Sequence, residues 1–228
     1  MAVFCMGDTH FGAGVGDEEK LLCLEAKPED FAIICGDAGF VWYGDDAADG
    51  RDKMVLDTIN ALGFTVCFVD GNHENHHALN LYPVVEFHGG KAHKLRDNVY
   101  HLMRGEIFDF ESKTYWTFGG AASVDKIRRT PGISWWPEEI PSNEEIMYGF
   151  DKIMAAGKVD YIITHQIPQF VKEDLFYYFT DLDDLYMTKM FNEVYNNVEF
   201  KHWYSGHLHV DREYDKVRIL YNDVIKID

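Results

Sequence analysis

Residues 64–74 read Phe-Thr-Val-Cys-Phe-Val-Asp-Gly-Asn-His-Glu. The run begins with β-branched and aromatic residues and is too short for a buried helix, so it predicts a strand that is covered on both faces. Gly71 breaks the strand, and Asn72, His73 and Glu74 follow at once. In an open α/β sheet, ligands bind beyond the carboxyl ends of the strands. The stretch therefore predicts a strand that delivers metal-capable side chains to a site.

Four other apolar runs end in the same kind of polar cluster, usually beside a glycine that lets the backbone turn tightly. A chance distribution of polar residues would not keep selecting the ends of strands. We therefore expect five strands whose ends carry Asp, Asn or His. The four further runs and the residues after them are 2–6 before Gly7-Asp8-Thr9-His10, 31–35 before Gly36-Asp37, 161–163 before Thr164-His165, and 200–204 before Ser205-Gly206-His207-Leu208-His209.

Other segments between these runs show helical spacing, capping residues or turn signals. A strand, a helix and a strand follow one another around residues 51–62, which is typical of a βαβ unit. The predicted elements are a helix over 18–26 capped by Asp17, a helix over 51–62, a helix that starts near Ser142 and reaches about Ala156, one or two helices over 174–197, and an antiparallel meander over 84–118 that forms part of a second sheet.

The chain of 228 residues is 46% hydrophobic, enough to bury a full core, and it fits one domain over residues 1–228. No apolar run approaches the roughly 20 residues of a membrane span, and the chain starts without a basic leader. Cys5, Cys35 and Cys67 lie inside apolar runs, and no Cys-x-x-Cys spacing occurs. Buried, reduced thiols are therefore favoured over disulfides, and a cytoplasmic location is expected.

The formal net charge is −18, from 39 acidic and 21 basic residues. This excess works against long-range attraction of nucleic acid, because nucleic-acid binding depends on Lys and Arg contacts to phosphates. The charge therefore disfavours a nucleic-acid partner. A small phosphorylated substrate stays compatible, since divalent ions would reverse the field locally.

Residues 119–137 form the longest stretch without clear periodicity, and long loops of this kind often serve function. The stretch contains the basic pair Arg128 and Arg129, which could clamp a substrate phosphate. The alternative is that both arginines are ordinary surface residues.

Two aromatic pairs leave a similar choice open. Trp135 and Trp136 could stack on an aromatic leaving group, or they could simply pack their loop. Trp42 and Tyr43 follow the second strand, where they either cover the edge of the core or line a substrate cleft.

Taken in order, Gly-Asp-x-His, Gly-Asp, Gly-Asn-His-Glu, His and Gly-His-x-His form a strong pattern, although each motif alone is weak. With this pattern the sequence resembles the calcineurin-like metallophosphoesterase superfamily from Asp8 to His209. It is similar to a bacterial and phage branch in its Gly-Asn-His-Glu-Asn stretch, in residues 89–91 and in the loop at 134–137. The resemblance implies an α/β fold of two mixed β-sheets packed as a sandwich, with flanking helices in four layers.

The resemblance also implies a site for two divalent metal ions. Imidazoles, an amide oxygen and carboxylates without a thiolate suit Mn, Fe or Zn, with Mn as the first expectation. Two carboxylates leave a pair of divalent ions net positive, so the site can attract a phosphate ester. The implied ligands are Asp8, His10 and His209 for one ion, Asp37 as the bridge, and Asn72, His165 and His207 for the second ion.

The implied reaction is direct hydrolysis, in which a hydroxide generated on the metals attacks phosphorus in line. His73 resembles the family's proton donor to the leaving oxygen and acts beside Asp37 and Asn72. We assign Glu74 to holding its loop.

Two departures from related phosphatases narrow the substrate. Many of them continue the second motif as Gly-Asp-x-x-Asp-Arg, whereas Phe40 and Val41 stand at the last two positions here. The aspartate that often orients the catalytic histidine is therefore missing, and Asp70 stands where those phosphatases carry arginine. A dedicated phosphoserine phosphatase is disfavoured. Six histidines have no motif around them and are interpreted as ordinary core or surface residues: His76, His77, His88, His93, His101 and His202.

Three hypotheses follow. The first is a dinuclear-metal phosphoesterase that acts on a small phosphomonoester or phosphodiester, such as a nucleotide. The second is a nuclease or nucleic-acid end-processing enzyme of the same superfamily, which the charge disfavours. The third is a metal-free interaction module, which would have no need for seven ligands of the right type. The sequence leaves the oligomeric state open.

Overall fold

The computed structural model describes residues 1–11, 16–44, 50–176 and 182–227. The strands are β1 (Val3–Met6), β2 (Phe31–Ile34), β3 (Thr65–Phe68), β4 (Val84–Phe87), β5 (Gly90–Arg96), β6 (Val99–Leu102), β7 (Ile107–Phe110), β8 (Lys113–Phe118), β9 (Tyr161–Thr164), β10 (His202–Ser205), β11 (Arg212–Tyr214), β12 (Val217–Ile219) and β13 (Val224–Ile227). The helices are α1 (Glu19–Leu22), α2 (Arg51–Asn60), α3 (His76–Leu79), α4 (Asn143–Ala156), α5 (Gln169–Phe176) and α6 (Leu185–Asn197).

The strands form two mixed sheets. The first has the order β13-β1-β2-β3-β6-β5-β4, and its centre, β1, β2, β3 and β6, is parallel. The second has the order β11-β12-β10-β9-β8-β7, with β12, β10, β9 and β8 parallel. The outermost strands of both sheets run antiparallel to their neighbours.

The alternation of side chains along the central strands builds the four layers. On β2, Phe31 and Ile33 lie in the core between the two sheets, whereas Ala32 and Ile34 lie in a second core on the outer face of the first sheet. A third core covers the outer face of the second sheet with residues of α4, α5 and α6. Because central strands are covered on both faces, they read as continuous apolar runs. The predicted sandwich of two mixed sheets with flanking helices is confirmed.

The five motif strands are β1, β2 and β3 in the first sheet and β9 and β10 in the second. Within each sheet these strands are parallel, so their carboxyl ends meet at one edge. The predicted start of α4 is also observed: Ser142 accepts a hydrogen bond from the backbone N–H of Glu145, and the two residues form a capping box.

The prediction that the meander over 84–118 belongs to a second sheet is wrong in part. The hairpin strands β4, β5 and β6 extend the first sheet beside β3, and only β7 and β8 belong to the second. Val99 of β6 pairs with Val66 and packs with Leu95 in the core of the first sheet. Local pairing is the same in either sheet, and this long-range packing decides which sheet the hairpin joins.

The helix predicted over 18–26 is observed only as α1, which ends at Leu22. Leu21 is the one buried residue of that helix, so little packing supports a longer one. Asp17 does not cap the helix; its carboxylate accepts a hydrogen bond from the hydroxyl of Tyr221 at 3.1 Å. None of the described helices is both long enough and apolar enough to cross a bilayer.

Candidate metal centre

The loops after the five motif strands converge at the shared edge of the two sheets. The seven predicted ligands sit on these loops, and Asp8, Asp37 and His165 are almost wholly buried. Two groups of side chains can be distinguished, and Asp37 takes part in both.

The first group consists of Asp8, His10, Asp37 and His209. Each can offer one ligand atom, and these atoms lie within 4.8 Å of one another. The Nε2 atoms of His10 and His209 are 3.0 Å apart, and Nε2 of His10 is 3.9 Å from Oδ2 of Asp37. Imidazole nitrogens and carboxylate oxygens at these separations fit a single transition-metal ion.

The second group lies on the other side of Asp37. Nε2 of His165 is 3.0 Å from the amide oxygen of Asn72 and 3.4 Å from Oδ1 of Asp37. The ring of His207 packs edge-on against that of His165, with 4.9 Å between centroids. The two oxygens of Asp37 therefore face different groups, as a bridging carboxylate requires. All seven predicted ligands are brought together, while the binding of two ions stays a prediction.

Four of these ligands have strained backbones. The φ angles of His10, Asp37, His207 and His209 are +39°, +50°, +68° and +48°. Side chains other than glycine rarely adopt this left-handed region, and such strain is typical of functional sites. The packing of the surrounding structure stabilises these strained conformations, which direct the four side chains toward one point.

Two glycines make the close approach of the loops possible. A Cβ atom at Gly36 would lie 2.2 Å from Nδ1 of His165, and one at Gly71 would lie 2.1 Å from Oδ1 of Asp37. The glycines beside the polar clusters thus make room for the ligand side chains.

Hydrogen bonds orient the ligand atoms of the second group. His165 directs Nδ1 at the carbonyl oxygen of Cys35, 2.7 Å away, which leaves Nε2 to face the centre. The amide nitrogen of Asn72 donates to Ser123 at 3.2 Å, and Ser123 donates to Glu139 at 2.5 Å. Partners of this kind fix the tautomer or the orientation of metal ligands.

Tyr221 supports the first group from outside. Its ring stacks on His209 with 4.7 Å between centroids and an interplanar angle of 6°. The ammonium of Lys20 lies over the Tyr221 ring, 5.2 Å from the ring centre. It also donates a hydrogen bond to the carbonyl oxygen of Asp8 at 2.6 Å. Sequence reasoning missed Tyr221, Lys20, Ser123 and Glu139, because no motif marks them.

Burial and mutual charge set the protonation of the centre. Burial opposes the charged form of His165, but Asp37 and Asp8 outweigh it and raise the pKa of His165 to about 10. Burial also works against the charge of Asp37, yet His165 and His73 hold the pKa of Asp37 well below its ordinary value. Burial lowers the pKa of His10 to about 4. Neutral His10 can bind a cation, and His165 would release a proton on metal binding.

His73 lies beside both groups. Its backbone N–H donates to Oδ1 of Asp37 at 2.7 Å, and its ring is 5.2 Å from the ring of His10. Burial lowers the pKa of the His73 ring, with Arg129 adding to the shift and Asp37 opposing it.

The two arginines of the long loop have different positions. Nη2 of Arg129 is 2.7 Å from Nε2 of His73, and its guanidinium also pairs with Asp125 at 2.8 Å. The side chain of Arg129 is only 9% exposed, and its buried Nη1 donates no hydrogen bond within the described structure. Arg128 ends the 3₁₀ helix Lys126–Arg128 with its side chain exposed.

Glu74 joins the loops of the second and third motifs. Its carboxylate accepts hydrogen bonds from the backbone N–H groups of Ala38 and Gly71, each at 2.7 Å. These contacts agree with the loop-holding role assigned to Glu74.

Three of the histidines without a motif are not isolated. Asp70 accepts hydrogen bonds from Arg104 at 2.6 Å and from Nε2 of His101 at 3.1 Å, and His76 lies 3.4 Å away. His93 extends the cluster through Nδ1, 2.9 Å from Nδ1 of His101. This buried group, Asp70, His76, His93, His101 and Arg104, is called the Asp70 cluster below.

The Asp70 cluster supports the third motif loop. The carbonyl oxygen of Asp70 accepts a hydrogen bond from the N–H of Gly120 at 2.8 Å. Asp70 stands two residues before Asn72, so the cluster fixes the base of the loop that carries a predicted ligand and His73.

The aromatic residues take different roles. Trp42 and Tyr43 line a cavity together with His10 and His73, which favours the cleft interpretation for this pair. Trp136 is 6% exposed and packs edge-on against Trp42, with 5.2 Å between centroids, so it packs the loop.

Comparisons with known proteins indicate one family for this chain. A family model described as calcineurin-like phosphoesterase matches residues 1–211. Curated protein sequences gave no significant match.

Two solved structures are similar to this chain. One, from Staphylococcus aureus and described as a 5′-nucleotidase, has a TM-score of 0.49 and 14% identity, covering 96% of this chain and 48% of that chain. The other, the phosphopantetheinyl hydrolase of Mycobacterium tuberculosis, has a TM-score of 0.50 and 18% identity, covering 97% of this chain and 90% of that chain. This chain thus spans about half the length of the first.

Proposed function

This chain belongs to the calcineurin-like phosphoesterase family, and on that premise we propose that it is a dinuclear enzyme that hydrolyses a small phosphomonoester or phosphodiester. Family membership makes the chain a metal-dependent hydrolase of phosphoric esters. The number of ions, their identity and the class of ester are what we propose. We treat residues 1–228 as one domain, because both sheets contribute to the centre. We also propose a cytoplasmic location, because the free thiols of the chain would stay reduced in the cytoplasm.

One observation carries the proposal: the two oxygens of Asp37 face two separate sets of ligand atoms. Oδ2 lies toward His10 and Oδ1 toward His165. A carboxylate in this position would lower the repulsion between two cations about 3.5–4 Å apart.

The residues fit the metal ions that the family implies. Asp8, His10 and His209 would hold one ion, Asn72, His165 and His207 the other, with Asp37 shared between them. The donor set contains no thiolate and suits Mn first, with Fe or Zn as alternatives. Bound there, the ions would activate water and neutralise charge on the phosphoryl oxygens.

Arg129 and His73 would act on the substrate from the protein side. The Nη1 donor of Arg129 has no hydrogen-bond acceptor among the described residues and is buried beside His73, where a phosphoryl oxygen would accept its hydrogen bond. Arg128 is exposed, so the proposed phosphate clamp narrows to Arg129. When the guanidinium turns from His73 to the phosphoryl group, the ring nitrogen of His73 becomes free to take up a proton from water and to pass it to the leaving oxygen.

The two other hypotheses fit the molecule less well. The net charge of −18 opposes a nuclease, because phosphate backbones need a basic surface. A metal-free interaction module would gain nothing from holding four ligands in a left-handed backbone conformation.

Metal analysis and two model esters test the proposal. Protein loaded with Mn should contain about two ions per chain and should hydrolyse p-nitrophenyl phosphate or bis-p-nitrophenyl phosphate. A higher kcat/KM for p-nitrophenyl phosphate would identify a phosphomonoesterase, and a higher kcat/KM for bis-p-nitrophenyl phosphate would identify a phosphodiesterase. Stoichiometric metal without turnover of either ester or of any nucleotide would instead favour a binding role without catalysis, and absence of metal together with absence of turnover would favour the metal-free interaction module.

A further inference from the structure

A cavity lies beside the candidate metal centre. It has a volume of about 300 Å³, and two of its lining residues, His10 and His73, belong to the centre. Its other walls are built largely from Phe11, Trp42 and Tyr43. The volume is at the lower end of the about 300–1,000 Å³ of typical ligand pockets.

The aromatic wall is held in place by one buried carboxylate. Oδ2 of Asp52 accepts hydrogen bonds from the backbone N–H groups of Trp42 at 2.8 Å, Tyr43 at 2.7 Å and Gly44 at 2.6 Å. The side chain of Asn75 donates to the carbonyl oxygen of Trp42 at 2.8 Å. Because these hydrogen bonds already order the wall, ligand binding loses less conformational entropy.

A guanidinium adds a cationic face to this wall. Arg51 lies with Cζ 4.7 Å from the centre of the Tyr43 ring, and its Nη1 donates to the Tyr43 hydroxyl at 2.9 Å. Both residues line the cavity. Aromatic rings and a planar guanidinium bind the faces of flat aromatic rings by stacking, whereas an aliphatic chain gains no such geometry.

We infer that this cavity binds a single nucleobase, so that the substrate is a phosphate ester of a nucleoside with its phosphoryl group at the metal centre. The inference rests on the proposed function and names the substrate class of that site. The cavity holds one ring system beside His10 and His73, which suits a mononucleotide better than a polynucleotide. Hydrolysis then breaks the phosphorus–oxygen bond, water supplies the new oxygen on phosphorus, and the leaving oxygen takes a proton.

Val55→Phe is the variant that tests the cavity. Val55 lines it from α2 and is partly buried, so the larger ring would occupy the space of the base. Met54→Phe is the matched control, because Met54 is the preceding residue on the same helix and is 66% exposed. Tyr43→Leu removes one stacking ring at a half-exposed position, should Val55→Phe fail to fold.

The first measurement needs no catalysis. Calorimetric titration of the Mn-loaded protein with adenosine, which has the base and no phosphate, should detect binding by the unmodified chain. Val55→Phe or Tyr43→Leu should raise the dissociation constant by about 5- to 150-fold, the range of one base–aromatic stack. Met54→Phe should keep the dissociation constant of the unmodified chain.

The second measurement compares kcat/KM for adenosine 5′-monophosphate and for ribose 5-phosphate, which lacks the base. The ratio should exceed 1 by a similar factor in the unmodified chain and should fall toward 1 in Val55→Phe. Adenosine that binds while no ester is hydrolysed would overturn the proposed function and keep the cavity. Ester hydrolysis without adenosine binding, or adenosine binding that Val55→Phe leaves unchanged, would overturn the cavity assignment alone.

Discussion

Asp37 and Asp70 are both buried carboxylates that follow neighbouring parallel strands, and the protein uses them in opposite ways. Burial opposes the charge of each, and nearby groups hold both pKa values well below the ordinary value of 3.8. The compensating groups differ. Around Asp37 they are His165 and other imidazoles, whereas for Asp70 the largest is the guanidinium of Arg104.

This difference separates a site that can exchange its cation from one that cannot. An imidazole such as His165 can lose its proton, and a metal ion can then take over the role of balancing Asp37. A guanidinium stays charged, so Arg104 neutralises Asp70 permanently. The Asp37 region is therefore suited to the proposed metal chemistry, and the Asp70 cluster holds the loop that carries Asn72 and His73.

The largest effect should come from Asp37→Asn. The amide cannot balance two cations, so both should bind weakly, and turnover should fall by more than the about 10- to 100-fold that follows loss of an outer partner of a metal ligand. Metal content and kcat measured together test this. Asp97→Asn, at a surface aspartate whose side chain is 92% exposed, is the control and should change neither. Normal metal content in Asp37→Asn would contradict the bridge.

His73→Gln should lower turnover without changing the metal content. The ring of His73 is in contact with Arg129, and its backbone alone bonds Asp37. We expect kcat to fall by about 10²- to 10⁴-fold, as for loss of a general acid, while metal content stays unchanged. His77→Gln, at an exposed position of α3, is the matched control. An unchanged kcat in His73→Gln would remove the residue from the mechanism.

Asp70→Asn should lower stability rather than metal affinity. The substitution leaves the buried guanidinium of Arg104 without its main counter-charge, and breaking a buried ion pair costs about 3–5 kcal/mol. Urea unfolding of the metal-free protein measures the loss, with Asp97→Asn again as control. If Asp70→Asn kept its stability and lost its metals, the contrast between the two carboxylates would be wrong.

Acid should reduce that stability difference. Asp70 has a depressed pKa in the folded protein, so it contributes stability that is fully present above its ordinary pKa of 3.8 and is lost as the pH falls toward the lower folded value. The free energies of unfolding of the metal-free unmodified chain and of Asp70→Asn should therefore differ by a constant amount near neutrality. They should approach each other only below about pH 4. Convergence near neutral pH would mean that Arg104 does not hold Asp70 ionised.

A comparison of Asp37 with the Asp70 cluster shows which roles a sequence pattern can predict and which it cannot. Asp37 is recognisable because it follows a buried strand and a glycine, and that signal is local. Asp70 has the same local setting, but its role depends on His101 and Arg104, which reach it from 31 and 34 positions away. No spacing rule connects them, so the sequence could place His76, His93 and His101 only as ordinary core or surface residues, and all three are indeed buried.

The same limit applies to the residues that orient the ligands. Ser123 reaches Asn72 across 51 positions, and Tyr221 stacks on His209 from a different strand connection. Arg129 and Arg128 are adjacent in the chain, yet only Arg129 contacts His73, because the 3₁₀ helix turns one arginine inward and the other toward solvent.

The sequence by itself determined the strands, their glycine-terminated ends and the kinds of ligand atom they carry, because apolar runs, turn residues and ligand chemistry are properties of short stretches. The tertiary structure decided which carboxylate faces exchangeable imidazoles, which is locked by a guanidinium, and which aromatic side chains enclose a cavity. These outcomes depend on contacts between distant parts of the chain, and only the packing of two sheets against each other brings those parts together.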